Sequence, residues 1–226
     1  MDKIKVMTIF GTRPEAIKMA PLVKKLKKED SINCVVTVTA QHREMLDQVL
    51  KLFSIDTDYD LDIMSDQQSL TDITVNVLRK LETVLNKENP DLVLVHGDTT
   101  TTFIGALSSF YKQIDIGHVE AGLRTNNKYS PYPEEMNRHL TGVLTDLNFA
   151  PTINNKNNLL QENVDEDKIF VTGNTVIDAI KEIVQKDYSF KNNRLQEIDF
   201  DKNEVILLTA HRRENLGEGL TGIFKA

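Results

Sequence analysis

Pro90-Asp-Leu-Val-Leu-Val-His-Gly-Asp-Thr-Thr-Thr-Thr102 is the stretch whose reading decides the fold. Pro90 closes the segment before it, because proline cannot extend a helix. The four apolar residues Leu92 to Val95 predict a strand buried on both faces, as in a parallel sheet. His96-Gly97-Asp98 then turns the chain, with Asp98 and Thr99 where a helix N-cap belongs and a helix from about Thr100 to Tyr111. A carboxylate just past the carboxyl end of such a strand lies at the edge where open α/β sheets bind ligands. The pattern recurs in Asp115-Ile-Gly-His-Val-Glu120, and a third acidic pair, Glu134-Glu135, follows the turn residues Pro131 and Pro133. Three acidic positions are therefore predicted to converge on one sheet edge.

Outward from this centre, strands and helices alternate. Lys3–Phe10 reads as the first strand, and Gly11-Thr12-Arg13-Pro14-Glu15 as the turn into a helix, with Pro14 where the first helical turn tolerates it. Ile17, Ala20, Val23 and Leu26 recur at helical spacing. The free N–H groups of that helix, with the planar cation of Arg13, point to a diphosphate site; an Arg13 that only caps a neighbouring loop is the competing reading. The turn is neither a Walker sequence nor a Gly-x-Gly-x-x-Gly fingerprint. Strands are also expected at Ile32–Thr39, near Tyr59–Ile63, at Ile114–Val119, Leu147–Ala150 and Ile169–Val171. Helices are expected up to Phe53, along Leu70, Ile73, Val77, Leu81 and Val84, from Glu134 to about Thr145, near Asn154–Glu162, and from Thr175 to about Gln185. Gly122 to Pro133 reads as a long loop. This alternation predicts an α/β, doubly wound parallel sheet of Rossmann-like type, with the strand-to-helix turns on one edge.

The expected division is a first domain over 1–185, a polar linker over 186–203, and the start of a second α/β unit over 204–226. Val205-Ile-Leu-Leu-Thr209 has the composition of a buried strand, but one strand and one turn cannot make a domain, so the chain reads as cut off. A formal charge of −7, from 27 basic and 34 acidic residues among 226, gives no basic footprint for nucleic acid or a membrane surface. No apolar run reaches membrane-spanning length and no signal-peptide pattern opens the chain. The single cysteine, Cys34, lies in a predicted strand, has no internal disulfide partner and reads as a buried structural thiol, which fits a reducing, cytoplasmic setting.

By residue type alone, Asp98 is equally a helix cap or a catalytic carboxylate, and Glu134 could serve only the helix dipole. Glu120 ends a buried strand, and the nearby Arg124 is a possible partner for it. His96, His118 and His139 can each be read as structural histidines. No His/Cys/Asp spacing suits a metal, and no Gly-x-Ser-x-Gly elbow is present.

Seven motifs together carry a resemblance: Gly11-Thr-Arg-Pro-Glu-Ala-Ile-Lys-Met-Ala-Pro21, Thr39-Ala-Gln-His-Arg-Glu-Met-Leu-Asp47, His96-Gly-Asp-Thr-Thr100, Gly117-His-Val-Glu-Ala-Gly-Leu-Arg124, Tyr129-Ser-Pro-Tyr-Pro-Glu-Glu135, Thr172-Gly-Asn-Thr-Val-Ile-Asp178 and His211-Arg-Arg-Glu-Asn215. They resemble the bacterial non-hydrolysing UDP-N-acetylglucosamine 2-epimerases. The resemblance implies the N-terminal half of a glycosyltransferase-B type fold, with substrate in the cleft between two Rossmann-like halves. It implies interconversion of UDP-N-acetylglucosamine and UDP-N-acetylmannosamine, by elimination and re-addition of UDP through 2-acetamidoglucal, for cell-surface polysaccharide synthesis. It also implies that neither a metal nor a nicotinamide cofactor takes part. Asp98, Glu120 and Glu134 are then the acid–base carboxylates, and Arg13, Lys18 and His211 lie at the diphosphate. Gln41, Arg43 and Arg212 correspond to the region for a second, activating UDP-N-acetylglucosamine, and a homodimer is implied for the full-length family. The alternatives are a truncated, non-catalytic nucleotide-sugar-binding module, a hydrolysing epimerase and a glycosyltransferase.

Overall fold

Parallel strands cannot be joined by tight hairpins, so each apolar run must be followed by a crossover before the next can pair with it. A computed structural model, which describes residues 3–40, 43–64, 68–185, 187–209 and 218–225, shows this arrangement. Strands β1 (Ile4–Phe10), β2 (Ile32–Val38), β3 (Tyr59–Asp60), β4 (Leu92–His96), β5 (Asp115–Val119), β6 (Leu147–Ala150) and β7 (Ile169–Val171) form one sheet. Their order is β3-β2-β1-β4-β5-β6-β7, and every neighbouring pair is parallel. The intervening helices are α1 (Arg13–Lys28), α2 (Arg43–Phe53), α3 (Leu70–Glu88), α4 (Thr100–Tyr111), α5 (Glu134–Leu144) and α6 (Ile153–Gln161), and α7 (Val176–Ile183) follows β7. The chain is thus an α/β, doubly wound, Rossmann-like sheet.

The pleat sorts the core into two layers. Val6, Phe10, Val36, Val38, Leu94 and Val119 pack with Ala16, Met19 and Val23 of α1, Leu46 and Val49 of α2 and Ala179 of α7. Met7, Ile9, Val35, Val93, Val95 and Ile116 pack with Ile73, Val77 and Leu81 of α3 and Ile104 of α4. Local chemistry sets where α3 starts and stops. Ser69 accepts the Asp72 N–H at 3.1 Å while Asp72 accepts the Ser69 N–H at 3.0 Å. Asn89 then takes the left-handed conformation, at φ 43°, and Pro90 follows.

Strand order reverses direction between β1 and β4. The crevice outside the carboxyl ends of these strands is the binding place of doubly wound sheets. The turns after β1, β4 and β5 all open there.

Residues Val184–Ala226 form a separate unit with few internal contacts of its own. It contains the one-turn α8 (Asn193–Gln196) and α9 (Glu218–Lys225), and Phe190 lies 5.5 Å from Phe200 in a stacked pair. The strand expected at Val205–Thr209 does not form. No described strand lies beside it to complete a hydrogen-bonded ladder, and Ile206 and Leu207 are 90 % and 88 % exposed. An apolar run is not enough without a neighbour. Cys34 is half-buried rather than fully buried; its surroundings push the thiol up to about 11 against the opposing charge of Lys27, which leaves it protonated at neutral pH. Among the described residues no helix is long and apolar enough to cross a membrane.

Candidate active site

The turn after β1 does not present its N–H groups as the sequence suggested. Thr12-Arg13-Pro14-Glu15 is a capping sequence, and the Glu15 carboxylate folds back to accept the N–H groups of Gly11 (2.9 Å) and Thr12 (2.7 Å). A carboxyl group already built into the chain therefore occupies this part of the α1 N-terminus. Pro14 has no N–H to offer. What remains for an outside anion is Arg13, which is exposed and has no hydrogen-bond or ion-pair partner among the described residues. Burial raises the Glu15 carboxyl above its ordinary value, against the pull of Thr99, Gly11 and Thr12.

Glu120 directly follows β5 with φ at +66°, a left-handed backbone that costs a non-glycine residue about 1–3 kcal/mol and persists only where its surroundings enforce it. Two groups do so. Lys18 Nζ reaches both carboxylate oxygens at 2.6 Å, and Asn174 Nδ2, from the turn after β7, donates to Oε2 at 2.8 Å. Arg124, the partner expected from the sequence, instead makes a two-pronged pair with Glu162 at 2.7 Å. Behind Glu120 lies His96, whose Nε2 is 3.9 Å from Oε2. Neither His96 ring nitrogen has a hydrogen-bond partner among the described residues. Burial, the Lys18 charge and His118 hold the His96 ring down at about 3, so it is neutral at physiological pH.

Asp98 does not cap α4. Thr99 does, accepting the Thr102 N–H at 3.2 Å, which leaves the Asp98 carboxylate for Arg138 Nη2 at 2.6 Å. Arg138 also donates to Glu135 at 2.7 Å, and Asn137 Nδ2 holds the Asp98 carbonyl at 2.9 Å, so α5 and the turn after β4 form one network. Glu135 anchors that network. Burial opposes its ionisation, but the N–H groups of Thr125 and Asn126, together with Arg138, outweigh it and hold the carboxyl below the ordinary range. His118 fixes the same turn from beneath: its Nε2 lies 2.7 Å from the Gly97 carbonyl oxygen, which can only accept, so Nε2 carries the proton. Burial lowers the His118 ring to about 4. Glu134 begins α5, and its Oε2 is buried without a partner among the described residues.

Asp98, Glu120 and Glu134 thus lie on the turns and helix start at the carboxyl ends of β4 and β5, and Lys18 and Arg13 approach from α1. Arg43 is elsewhere, paired with Asp60 at the β3 edge and 3.4 Å from Asp47. Gln41, His211 and Arg212 lie outside the described residues. Among the described residues no cluster of three or more His, Cys, Asp or Glu side chains is arranged to hold a metal ion.

Residues 24–226 match the family model of UDP-N-acetylglucosamine 2-epimerase. The chain belongs to the UDP-N-acetylglucosamine 2-epimerase family. It is 61 % identical over 226 residues to the UDP-N-acetylglucosamine 2-epimerase of Bacillus subtilis, covering 100 % of this chain and 58 % of that one. A crystal structure from Listeria monocytogenes, at 60 % identity, superposes with a TM-score of 0.93 over 100 % of this chain and 58 % of its own. The Neisseria meningitidis enzyme, described as bound to UDP-GlcNAc, is 60 % identical with a TM-score of 0.76 over 79 % of this chain and 49 % of its own. The chain therefore spans about three fifths of the length of the curated relatives it matches.

Within this epimerase family fold, the bonds that Glu15, Glu135, Arg138 and Asn174 make around Asp98 and Glu120 were not expected from the sequence. One signal was available: the Thr-x-x-Glu spacing of Thr12 and Glu15 is the capping-box signature. A second is the i, i+3 spacing of Glu135 and Arg138 on one helix; the bonds of Arg138 to Asp98 and of Asn174 to Glu120 span 40 and 54 residues and leave no local trace.

Proposed function

We propose that this chain supplies the carboxylate-bearing wall of a UDP-N-acetylglucosamine 2-epimerase site. The reaction is interconversion of UDP-N-acetylglucosamine and UDP-N-acetylmannosamine. The proton at C2 of the sugar is not beside a carbonyl, so direct removal is too costly. Breaking the C1–oxygen bond as the C2 proton leaves gives 2-acetamidoglucal and UDP; UDP then adds back while a proton reaches C2 from the opposite face. Such a route needs a clamp for the leaving diphosphate and acid–base groups on both faces of the ring.

The carrying observation is Glu120: a strained residue at a strand end, its carboxylate held by Lys18 and Asn174 and backed by a neutral His96 that has no hydrogen-bond partner among the described residues. Strain of this kind concentrates at functional sites. Glu120, Asp98 and Glu134 are assigned the proton transfers. Arg13, Lys18 and His211 are assigned the diphosphate. Gln41, Arg43 and Arg212 are assigned a second, activating UDP-N-acetylglucosamine. The setting is cytoplasmic, the full-length assembly a homodimer, and the product serves cell-surface polysaccharide synthesis. Residues 1–185 form the N-terminal domain, 186–203 a linker and 204–226 the opening of a second domain.

A second reading, a nucleotide-sugar-binding module without turnover, draws on the share of the relatives that these residues span. Incubating the purified 226-residue polypeptide with UDP-N-acetylglucosamine separates the two. UDP-N-acetylmannosamine formation supports the enzyme; saturable UDP-N-acetylglucosamine binding with no product supports the module for this polypeptide.

A further inference from the structure

One side chain joins the turn that carries Arg13 to the turn that carries Asp98. Glu15 is 2 % exposed. Its Oε2 accepts the Gly11 and Thr12 N–H groups, as described above, and its Oε1 accepts the Thr99 hydroxyl at 2.7 Å. The Thr102 hydroxyl lies 3.1 Å from the same oxygen, but it is closer to the His96 carbonyl, at 2.5 Å. Through the Thr99 oxygen the clamp reaches the Thr102 N–H in the first turn of α4. Packing reinforces it, because a Cβ on Gly11 would lie 1.9 Å from Thr39 Oγ1 and 2.8 Å from Thr101 Oγ1. The first turn has no slack against α4. Arg13 directly follows one clamped residue, Thr12, and Asp98 directly precedes another, Thr99.

We propose that Glu15 is a positioning residue that locks the Arg13 turn to the Asp98 turn, so that an anion bound at Arg13 is registered at Asp98. The coupling to an anion rests on the function proposed above; the clamp does not. The clamp works in either protonation state. An ionised Glu15 accepts from every donor, and a protonated one keeps both backbone bonds on Oε2 and donates to the Thr99 oxygen. Glutamine can do the same, with its amide oxygen on the two N–H groups and its NH₂ on Thr99.

Native-state amide exchange on the 226-residue chain tests this without any ligand. Glu15→Ala should speed exchange of the Thr102 N–H, across the clamp, roughly threefold to tenfold, the scale for losing the one hydrogen bond that holds its Thr99 acceptor. Glu15→Gln should restore a near wild-type rate. Approached from the other side, Thr99→Ala should speed exchange at Gly11 and Thr12, whose own turn is untouched, and Thr99→Ser should not. Unchanged Gly11 and Thr12 rates in Thr99→Ala, or a Gln variant no better than Ala, would overturn the clamp; the threonine pair decides if Glu15→Ala does not fold. Pyrophosphate added to the wild-type chain should shift the amides of Gly11 to Arg13 and also those of Asp98 and Thr99, the latter shift disappearing in Thr99→Ala. No shift at Arg13 would count against the diphosphate role of Arg13, while the exchange rates still decide the clamp.

Discussion

Acid should destabilise this fold through two buried histidines. His96 and His118 are held near 3 and 4 in the folded chain, against about 6.5 for an unfolded histidine. Both folded values are depressed, so the stability from keeping the rings neutral is fully present above pH 6.5 and is lost as pH falls towards the folded values. At pH 5.0 the unfolded chain has bound a proton at each site and the folded chain at neither, which costs about 2 kcal/mol per histidine relative to pH 7.5. The result depends little on how far below 5 the folded values lie. Together the two should remove about 4 kcal/mol, a large part of the 5–15 kcal/mol available to an ordinary domain. With a urea slope of ~2 kcal/mol per molar, that is a fall of ~2 M in the unfolding midpoint. The assay is urea unfolding at pH 7.5 and pH 5.0, for the wild type and for His96→Gln with His118→Gln. Glutamine does not titrate, so other groups cancel in the comparison, whatever the variant's own stability. A pH-dependent loss that is the same in both proteins would refute this account of the buried histidines.

In an active protein carrying these residues, Glu120→Gln keeps the shape and removes the basicity, so turnover should fall roughly a hundredfold or more while folding is retained; steady-state kinetics and a thermal melt check both halves. Gly122→Ala places a Cβ 2.3 Å from the Asn155 carbonyl oxygen at a φ of +85°, where the clash is with backbone and cannot move aside, so denaturation should show a loss of about 2 kcal/mol or more. Deleting residues 204–226 removes an apolar run that pairs with no described strand, and the sheet domain should keep its unfolding midpoint; a midpoint that collapses on deletion would show that the segment is integral.

The sheet was legible because each element announced itself locally. Runs such as Leu92 to Val95 need two covered faces, and Pro90, Gly97 and Gly122 mark where the chain must turn. Those same turns put Asp98 and Glu120 on the correct edge. Pairing was not legible. Lys18 meets Glu120 across 102 residues and Arg138 meets Asp98 across 40, distances at which composition and periodicity carry no signal. Arg124 was matched to Glu120 through nearness in sequence, whereas the fold gives it Glu162 on the end of α6. The N–H groups of the α1 turn look open in sequence, whereas in the fold the Glu15 carboxyl accepts those of Gly11 and Thr12. Val205 to Leu208 failed for a different reason: a strand is a property of a pair, and the run has no described neighbour.

The central claim is elimination and re-addition carried by carboxylates on both faces of the sugar, and solvent exchange at C2 tests it most directly. An active protein containing these residues, given UDP-N-acetylglucosamine in deuterium oxide, should yield UDP-N-acetylmannosamine with deuterium at C2 in essentially every molecule of product. Product that keeps its original protium at C2 would contradict the account.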